Sequence, residues 1–211
     1  MTTIEFVTIE VDDVEAADRF YTAAFGLGER VRVRASHAPT TGFRGFTMSL
    51  VVSQPGNVDA LFGAAVEAGA KPVKPAAKSL WGYGGVLQAP DGTIWTIASQ
   101  SKKDKEPASR KVDQVVLQLG VADVAVSKQF YLARGLTLTR SFGKRYVEFA
   151  PPESPIGLTL YRRRNLAKVA GVAPEGSGSR RLAIGSDAGP FADPDGYLWE
   201  AAEVAEARGG R

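Results

Sequence analysis

Two residue types that carry most acid–base, nucleophilic and metal chemistry are scarce in this chain, which has no cysteine and a single histidine. Without cysteine, disulfides, thiolate metal sites and cysteine nucleophiles are excluded. His37 stands in the run ASHAPTTG, where a solvated loop residue is expected and a ligand or general base is the second reading. Acid–base work therefore falls to carboxylates. Glu200, in DPDGYLWE, is the candidate catalytic residue, and two readings of it stand. In one it is a strand-end carboxylate paired with Arg145 or Arg181. In the other it is a general base or ligand anchor whose pKa is raised by burial. A site of carboxylates alone, Glu200 with Glu148, would suit Mg²⁺ or Mn²⁺.

Recognition by shape and stacking is the other chemistry on offer. Trp81 and Tyr83 in LWGYGG, Phe43 and Phe46 in GFRGF, and then Tyr146, Phe149 and Tyr161 cluster at positions suited to a cleft. Glycines beside Trp81 and Tyr83 let backbone come close to a flat ligand or to another sheet. Trp and Tyr add large apolar area with a polar handle, as small-molecule sites require. Arg44 and Lys78 flank this set and can meet an anionic group. The expected ligand-binding residues are Phe43, Arg44, Phe46, Lys78, Trp81, Tyr83, Tyr146 and Glu148, although any strand aromatic can equally be core. Trp95 and Trp199 read as structural, packing a last strand on a helix.

The elements that must position these residues come twice. VTIEVDDVEAADRFY (7–21) returns as LQLGVADVAVSKQFY (117–131), and APDGTIWTIA (89–98) returns as DPDGYLWEAA (193–202). An internal repeat of this kind constrains the fold before local propensity does. Residues 4–11 alternate as a half-buried strand does. Asp12 and Asp13 then offer an N-cap, Asp12 with Glu15 has capping-box spacing, and Val14, Ala17, Tyr21, Ala24 and Phe25 form one helix face ended by Gly26. Strands are expected at 29–35 and 45–53. Val58, Leu61, Phe62, Ala65 and Val66 mark a second helix ended by Gly69, and strands follow at 71–75, 82–89 and 93–98. The polar stretch 99–111 reads as linker. Beyond it come a strand at 114–121, Asp123 as N-cap, a helix over 124–134, and strands near 137–142, 145–150 and 157–161. A short helix at 164–172, a loop APEGSGSRR, and strands at 181–186 and 197–202 complete the chain.

With 211 residues, 44% apolar and 23% charged, the composition is that of an ordinary globular protein of one or two domains. No apolar run approaches the ~20 residues of a membrane span, and the N-terminus lacks signal-peptide regions, so a cytoplasmic location is expected without membrane contact. The net charge of +3 arises from small clusters such as YRRRNLAK and SRR. With no aromatic-interleaved basic motif, nucleic acid is not an expected partner.

Taken in order, EVDDVEAADRFY (10–21), NVDALFGAAVEAGAKPVKP (57–75), WGYGGVLQAPDGTIW (81–95) and DPDGYLWE (193–200) resemble the glyoxalase / bleomycin-resistance / extradiol dioxygenase, or vicinal oxygen chelate, superfamily. The resemblance implies an α+β fold of tandem βαβββ modules, with curled mixed sheets around a cleft. It implies a glyoxalase-like domain at 1–100, a linker at 101–111, a second such domain at 112–204 and a disordered tail at 205–211. Enzymes of the superfamily hold a divalent metal with His and Glu from first and last module strands, and other members only bind ligands, antibiotics among them. Carried onto this chain, the first-strand His positions fall on Phe6 and Val116, and the last-strand Glu positions fall on Thr96 and Glu200. The inner first-strand ligand of the second module falls around 46–48. Only Glu200 has ligand character, so no metal and no other cofactor is expected.

Three functions are compatible with these residues. The first is a metal-free protein that binds an aromatic or antibiotic-like small molecule. The second is a lyase, isomerase or dioxygenase-like enzyme with an atypical site around Glu200. The third is a structural or regulatory protein whose clefts have filled in. Covalent duplication makes a monomer plausible, and trimmed sheet edges leave a homodimer open.

Overall fold

The computed structural model describes residues 1–202; the expected tail at 205–211 lies outside them. The first half runs β1 (Ile4–Val11), α1 (Val14–Ala24), β2 (Val31–Ala35), β3 (Thr40–Gly42), β4 (Phe46–Val51), α2 (Pro55–Glu67), β5 (Lys71–Ser79), β6 (Gly82–Gln88) and β7 (Ile94–Ser99). The second runs β8 (Gln114–Val121), α3 (Val124–Ala133), β9 (Arg140–Phe142), β10 (Tyr146–Phe149), β11 (Ile156–Arg162), α4 (Arg163–Ala170), β12 (Gly176–Gly178), β13 (Leu182–Ser186), β14 (Phe191–Ala192) and β15 (Leu198–Ala201).

Local chemistry starts the repeated helices in the same way. Asp13 accepts from Ala16 N at 2.9 Å, and Asp123 accepts from Ala125 N and Val126 N at 2.8 and 3.2 Å. Each cap satisfies N–H groups that the first helical turn leaves free. Of the two candidate caps of α1, Asp13 is the one used, and the Asp12 carboxylate lies 3.0 Å from Arg181.

An eight-stranded sheet in the order β5-β6-β7-β4-β8-β11-β10-β9 and a five-stranded sheet in the order β14-β15-β13-β1-β2 hold the molecule together. Each is centred on an antiparallel pair with one strand from each half, β4 with β8 and β1 with β13. Outward from each centre lies a parallel neighbour: β7 and β11 in the larger sheet, β2 and β15 in the smaller. The division suggested at 101–111 therefore separates chain segments, while both sheets take strands from either side of it. The intervening stretch is polar yet fixed. Buried Gln54 accepts from Lys105 N and Glu106 N, and Asn57 accepts from Ser109 N.

Most apolar side chains of both sheets and of α1, α2 and α3 form one core, in which Trp95 packs 5.6 Å from Tyr21 and Trp199 packs 5.3 Å from Tyr131. Residues alternating with these point to the other face of each sheet. The sites that a glyoxalase-like cleft would use lie on those outer-facing rows.

Candidate functional site

The register places the four positions singled out for metal ligation in two rows. In the larger sheet Thr96 is opposite Ser49, Ser49 opposite Val116, and Val116 opposite Gly157. The parallel row holds Thr47, Gln118, Thr159 and Glu148. Their donors are hydroxyls, one amide and one carboxylate, and that carboxylate accepts from Tyr146 Oη at 2.8 Å. In the smaller sheet Phe6 is opposite Gly185, and Gly185 opposite Glu200. The Phe6 ring lies on Gly185 so closely that a Cβ there would be 2.4 Å from the ring, and the Arg32 guanidinium covers the ring at 3.6 Å. A phenyl ring and a cation thus stand where a metal would need donors, and no cluster of three metal-ligating side chains exists among the described residues. The residues do not fit the metal centre of the superfamily.

Glu200 is engaged by Arg34 rather than by Arg145 or Arg181. Arg34 Nη1 donates to Glu200 Oε2 at 2.9 Å and Nη2 to Glu10 Oε1 at 2.8 Å, while Thr8 Oγ1 donates to Glu200 Oε1 at 3.1 Å. The hydrogen bond to Glu10, then that to Glu200, holds the Arg34 guanidinium above its ordinary pKa. Glu200 and Glu148 lie on different sheets, so the carboxylate-only metal site does not assemble. His37 is exposed, with Nδ1 3.4 Å from Asp12.

Over the larger sheet the free face is occupied by α4. Its Leu166, Ala167 and Ala170 are fully buried, the first two against Phe43 and Tyr161 and the third against Val86 and Ile94. Gly120 makes this approach possible, since a Cβ there would meet the Arg163 Cα at 2.9 Å. At the other end Lys74 Nζ donates to the carbonyls of Lys168 and Val169 at 3.0 and 2.7 Å, and left-handed Gly171 ends the helix. The cleft of the larger sheet is therefore largely filled by the chain itself.

What remains open is a cavity of about 330 Å³ beside α4, lined by Phe43, Arg44, Phe46, Gln88, Ile94 and Val172 among others, with exposed Ala173 and Glu175 at its rim. Arg44 is its one cation and is 8% exposed. Its Nη2 donates to Thr93 Oγ1 at 2.7 Å and to Asp91 O at 3.4 Å, while Nη1 is buried with no acceptor among the described residues. Burial holds its pKa below the ordinary arginine value, with Asp91 opposing that shift. A neighbouring carboxylate, Asp91, lies 3.9 Å away and already accepts from Tyr21 Oη and Thr93 N.

Of the eight residues expected to bind ligand, Phe43, Arg44 and Phe46 meet at this cavity. Phe46 also belongs to the main core. Lys78 and Trp81 do not join them: the β5–β6 hairpin carries both outward, and Trp81 is 83% exposed at its tip. Tyr83 donates to Asp59 on α2. Tyr146 and Glu148 lie at the opposite end of the sheet, where Tyr146 packs edge-on against Tyr161 at 5.1 Å. Sequence reasoning missed Gln88, Ile94 and Val172, the last of which stood at the end of the short helix expected at 164–172 and lies just beyond the observed α4.

No protein-family profile matches the chain, and no curated protein matches it. Solved structures do. Glyoxalase I from Zea mays is similar at 17% identity and a TM-score of 0.61, covering 94% of this chain and 91% of that one. A V278E mutant of the same maize enzyme matches at 18% identity and a TM-score of 0.59, over 94% and 91% of the two chains. A Bacillus subtilis protein provisionally described as a dioxygenase matches at 11% identity and a TM-score of 0.61, over 95% and 84%. At these identities the likeness speaks to architecture, and it extends over both halves of the chain. This protein has the glyoxalase-like α+β fold of these solved structures.

Proposed function

We propose that this chain is a metal-independent binding protein for an aromatic or antibiotic-like small molecule, held in the Arg44 cavity of an internally duplicated glyoxalase-like fold and acting in the cytoplasm. The observation that carries the reading is the cavity itself, about 330 Å³ and lined by Phe43, Phe46, Ile94 and Val172 with the buried Arg44 in its wall. Sites of this kind, concave and apolar with few polar groups, are how proteins hold small ligands. The replacement of metal ligands by Phe6, Val116 and Thr96 supports binding over metal-assisted chemistry. Glu200 supports it too, since its carboxylate is taken up by Arg34 and Thr8.

The test has two parts. Untagged protein is incubated with Mn²⁺, Fe²⁺, Ni²⁺ and Zn²⁺ and its metal content measured by mass spectrometry; substoichiometric metal is expected. A library of aromatic compounds is then screened by ligand-observed NMR in excess chelator, with Ala173→Trp as the blocked control. Hits are expected on the parent chain, weakened by about tenfold or more, a loss of about 1.4 kcal/mol, when the Trp fills the rim. Stoichiometric metal, or hits indifferent to Ala173→Trp, would overturn the reading.

A further inference from the structure

We infer that β2 is a docking edge for a second copy of this chain, the two β2 strands pairing antiparallel about a twofold axis at Val33 and extending the smaller sheet across both copies. β2 closes one edge of that sheet, with β1 on its inner side and no strand on its outer side among the described residues. Its parallel register with β1, and the bond from Ser36 N to Val11 O, fix the phase of the ladder: Arg32, Arg34 and Ser36 turn their N–H groups inward to β1. The backbone groups that face outward are therefore those of Val31, Val33 and Ala35. Val31 N–H is taken by Gly28 O. The Val31 carbonyl and both groups of Val33 and Ala35 have no partner among the described residues. These positions are symmetric about Val33. In an antiparallel pair of β2 strands, Val33 meets Val33 of the second copy and satisfies it in both directions. Val31 meets Ala35 of the second copy, whose N–H reaches the Val31 carbonyl.

The side chains permit this approach. Arg32 and Arg34 would stand opposite one another across the pair, yet both reach back over their own sheet. Arg32 lies 3.6 Å over the Phe6 ring on β1, and Arg34 spans Glu10 on β1 and Glu200 on β15. Charge is balanced within each copy: Arg30, Arg32 and Arg34 stand among Glu10, Glu29, Glu200 and Asp18, while Arg181 and His37 both lie against Asp12. No uncompensated cation calls for an acidic peptide as the occupant. On the other face Val31 and Val33 pack against the core, beside a groove of about 290 Å³ between α1 and β2 that Tyr21 and Leu27 help to line. Val33 and Ala35 of the second copy would cover that groove as cross-strand neighbours. A five-residue strand buries less than the ~800 Å² per copy of a standard stable interface, so the dimer belongs to micromolar concentrations and above.

Sedimentation equilibrium of the full chain, from micromolar to near-millimolar concentration, tests this. A monomer–dimer equilibrium is expected, and Val33→Pro is expected to weaken it about tenfold or more, since it deletes a donor that β1 does not use. Val33→Cys keeps that donor and gives the chain its sole thiol, so the test stands even if the proline disturbs the strand. It should form an intermolecular disulfide under mild oxidation, because residues directly opposite in such a pair lie about 5.5 Å apart at Cα. Ala35→Cys, at a more exposed position on the same strand, should not, because its counterpart stands about 13 Å further along, beyond disulfide reach. A monomer at every concentration would overturn the proposal. So would a dimer indifferent to Val33→Pro, which would place the contact elsewhere, as at the exposed Leu80–Trp81 tip. Crosslinking of Ala35→Cys as fast as that of Val33→Cys would overturn the pairing about Val33.

Discussion

Tyr21 and Tyr131 occupy corresponding places on α1 and α3, yet they give their hydroxyl protons to carboxylates that do not correspond. Tyr21 donates to Asp91 within the Pro-Asp-Gly turn, whereas Tyr131 donates to Asp193, two residues before the matching Asp195. Asp193 is 6% exposed, and its burial raises its pKa above 3.8, opposed by the donors Tyr131 Oη, Tyr197 N and Asp195 N. For an acid whose folded pKa is raised, the protonated form favours folding. The contribution of Asp193 is therefore largest below pH 3.8 and falls as pH rises through its folded pKa. Tyr131→Phe removes a donor that favours the charged form and so raises that pKa further. We expect it to cost about 1–3 kcal/mol at pH 7, and clearly less at pH 3.5, in urea denaturation. Equal losses at both pH values would mean that the carboxylate is not the group Tyr131 sustains.

Among the elements, α4 has little support from its own termini. Its N-terminus has no side-chain cap and carries Arg162, Arg163 and Arg164, the wrong sign for the positive end of a helix dipole. Packing rather than local propensity must hold it, chiefly through Leu166, which is fully buried against Phe43. Leu166→Ala is expected to cost about 2–5 kcal/mol of global stability in chemical denaturation. It should also raise amide exchange throughout 163–170; a loss below 1 kcal/mol would show that α4 is not seated on the sheet. The sequence made α4 legible as a short helix, because its apolar positions recur at helical spacing. Its destination was not legible, since three apolar residues do not say which sheet face they cover. The long strands and repeated helices were legible for the same reason of period and cap. β3, β12 and β14 were not: two are three-residue pieces rich in Gly, Ser or Thr and one is a two-residue piece, fixed by pairing across the chain. Site residues divide along this line. Arg44 between two phenylalanines pointed to a pocket, while Trp81 beside glycines turned out to cap a hairpin. The Glu200 partner came from β2, whose place three strands away no local pattern encodes.

At the scale of the molecule, the halves of the chain are interlocked rather than adjacent. β1 receives antiparallel hydrogen bonds only from β13, and β4 receives them from β8. Either half alone would expose the centre of both sheets, with Val7, Ile9, Met48 and Leu50 stripped of neighbours they contact while fully buried. One outer edge of each sheet is protected by contrast: β5 carries Lys71, Lys74 and Lys78 with Pro72 and Pro75, and β14 is two residues long. An unprotected central edge predicts how the molecule responds to being cut. A fragment of residues 1–111 should lack a cooperative thermal transition by circular dichroism and should bind none of the cavity ligands. This holds although it contains Phe43, Arg44, Phe46 and Ile94, because α4, Val172 and the strand β8 beneath them lie in the other fragment. Mixing it with 112–211 should restore both the transition and the binding, as the two-strand centres re-form. Cooperative unfolding of 1–111 by itself would show instead that β1 and β4 can be satisfied within one half, and would return the two halves to independent domains joined at 101–111.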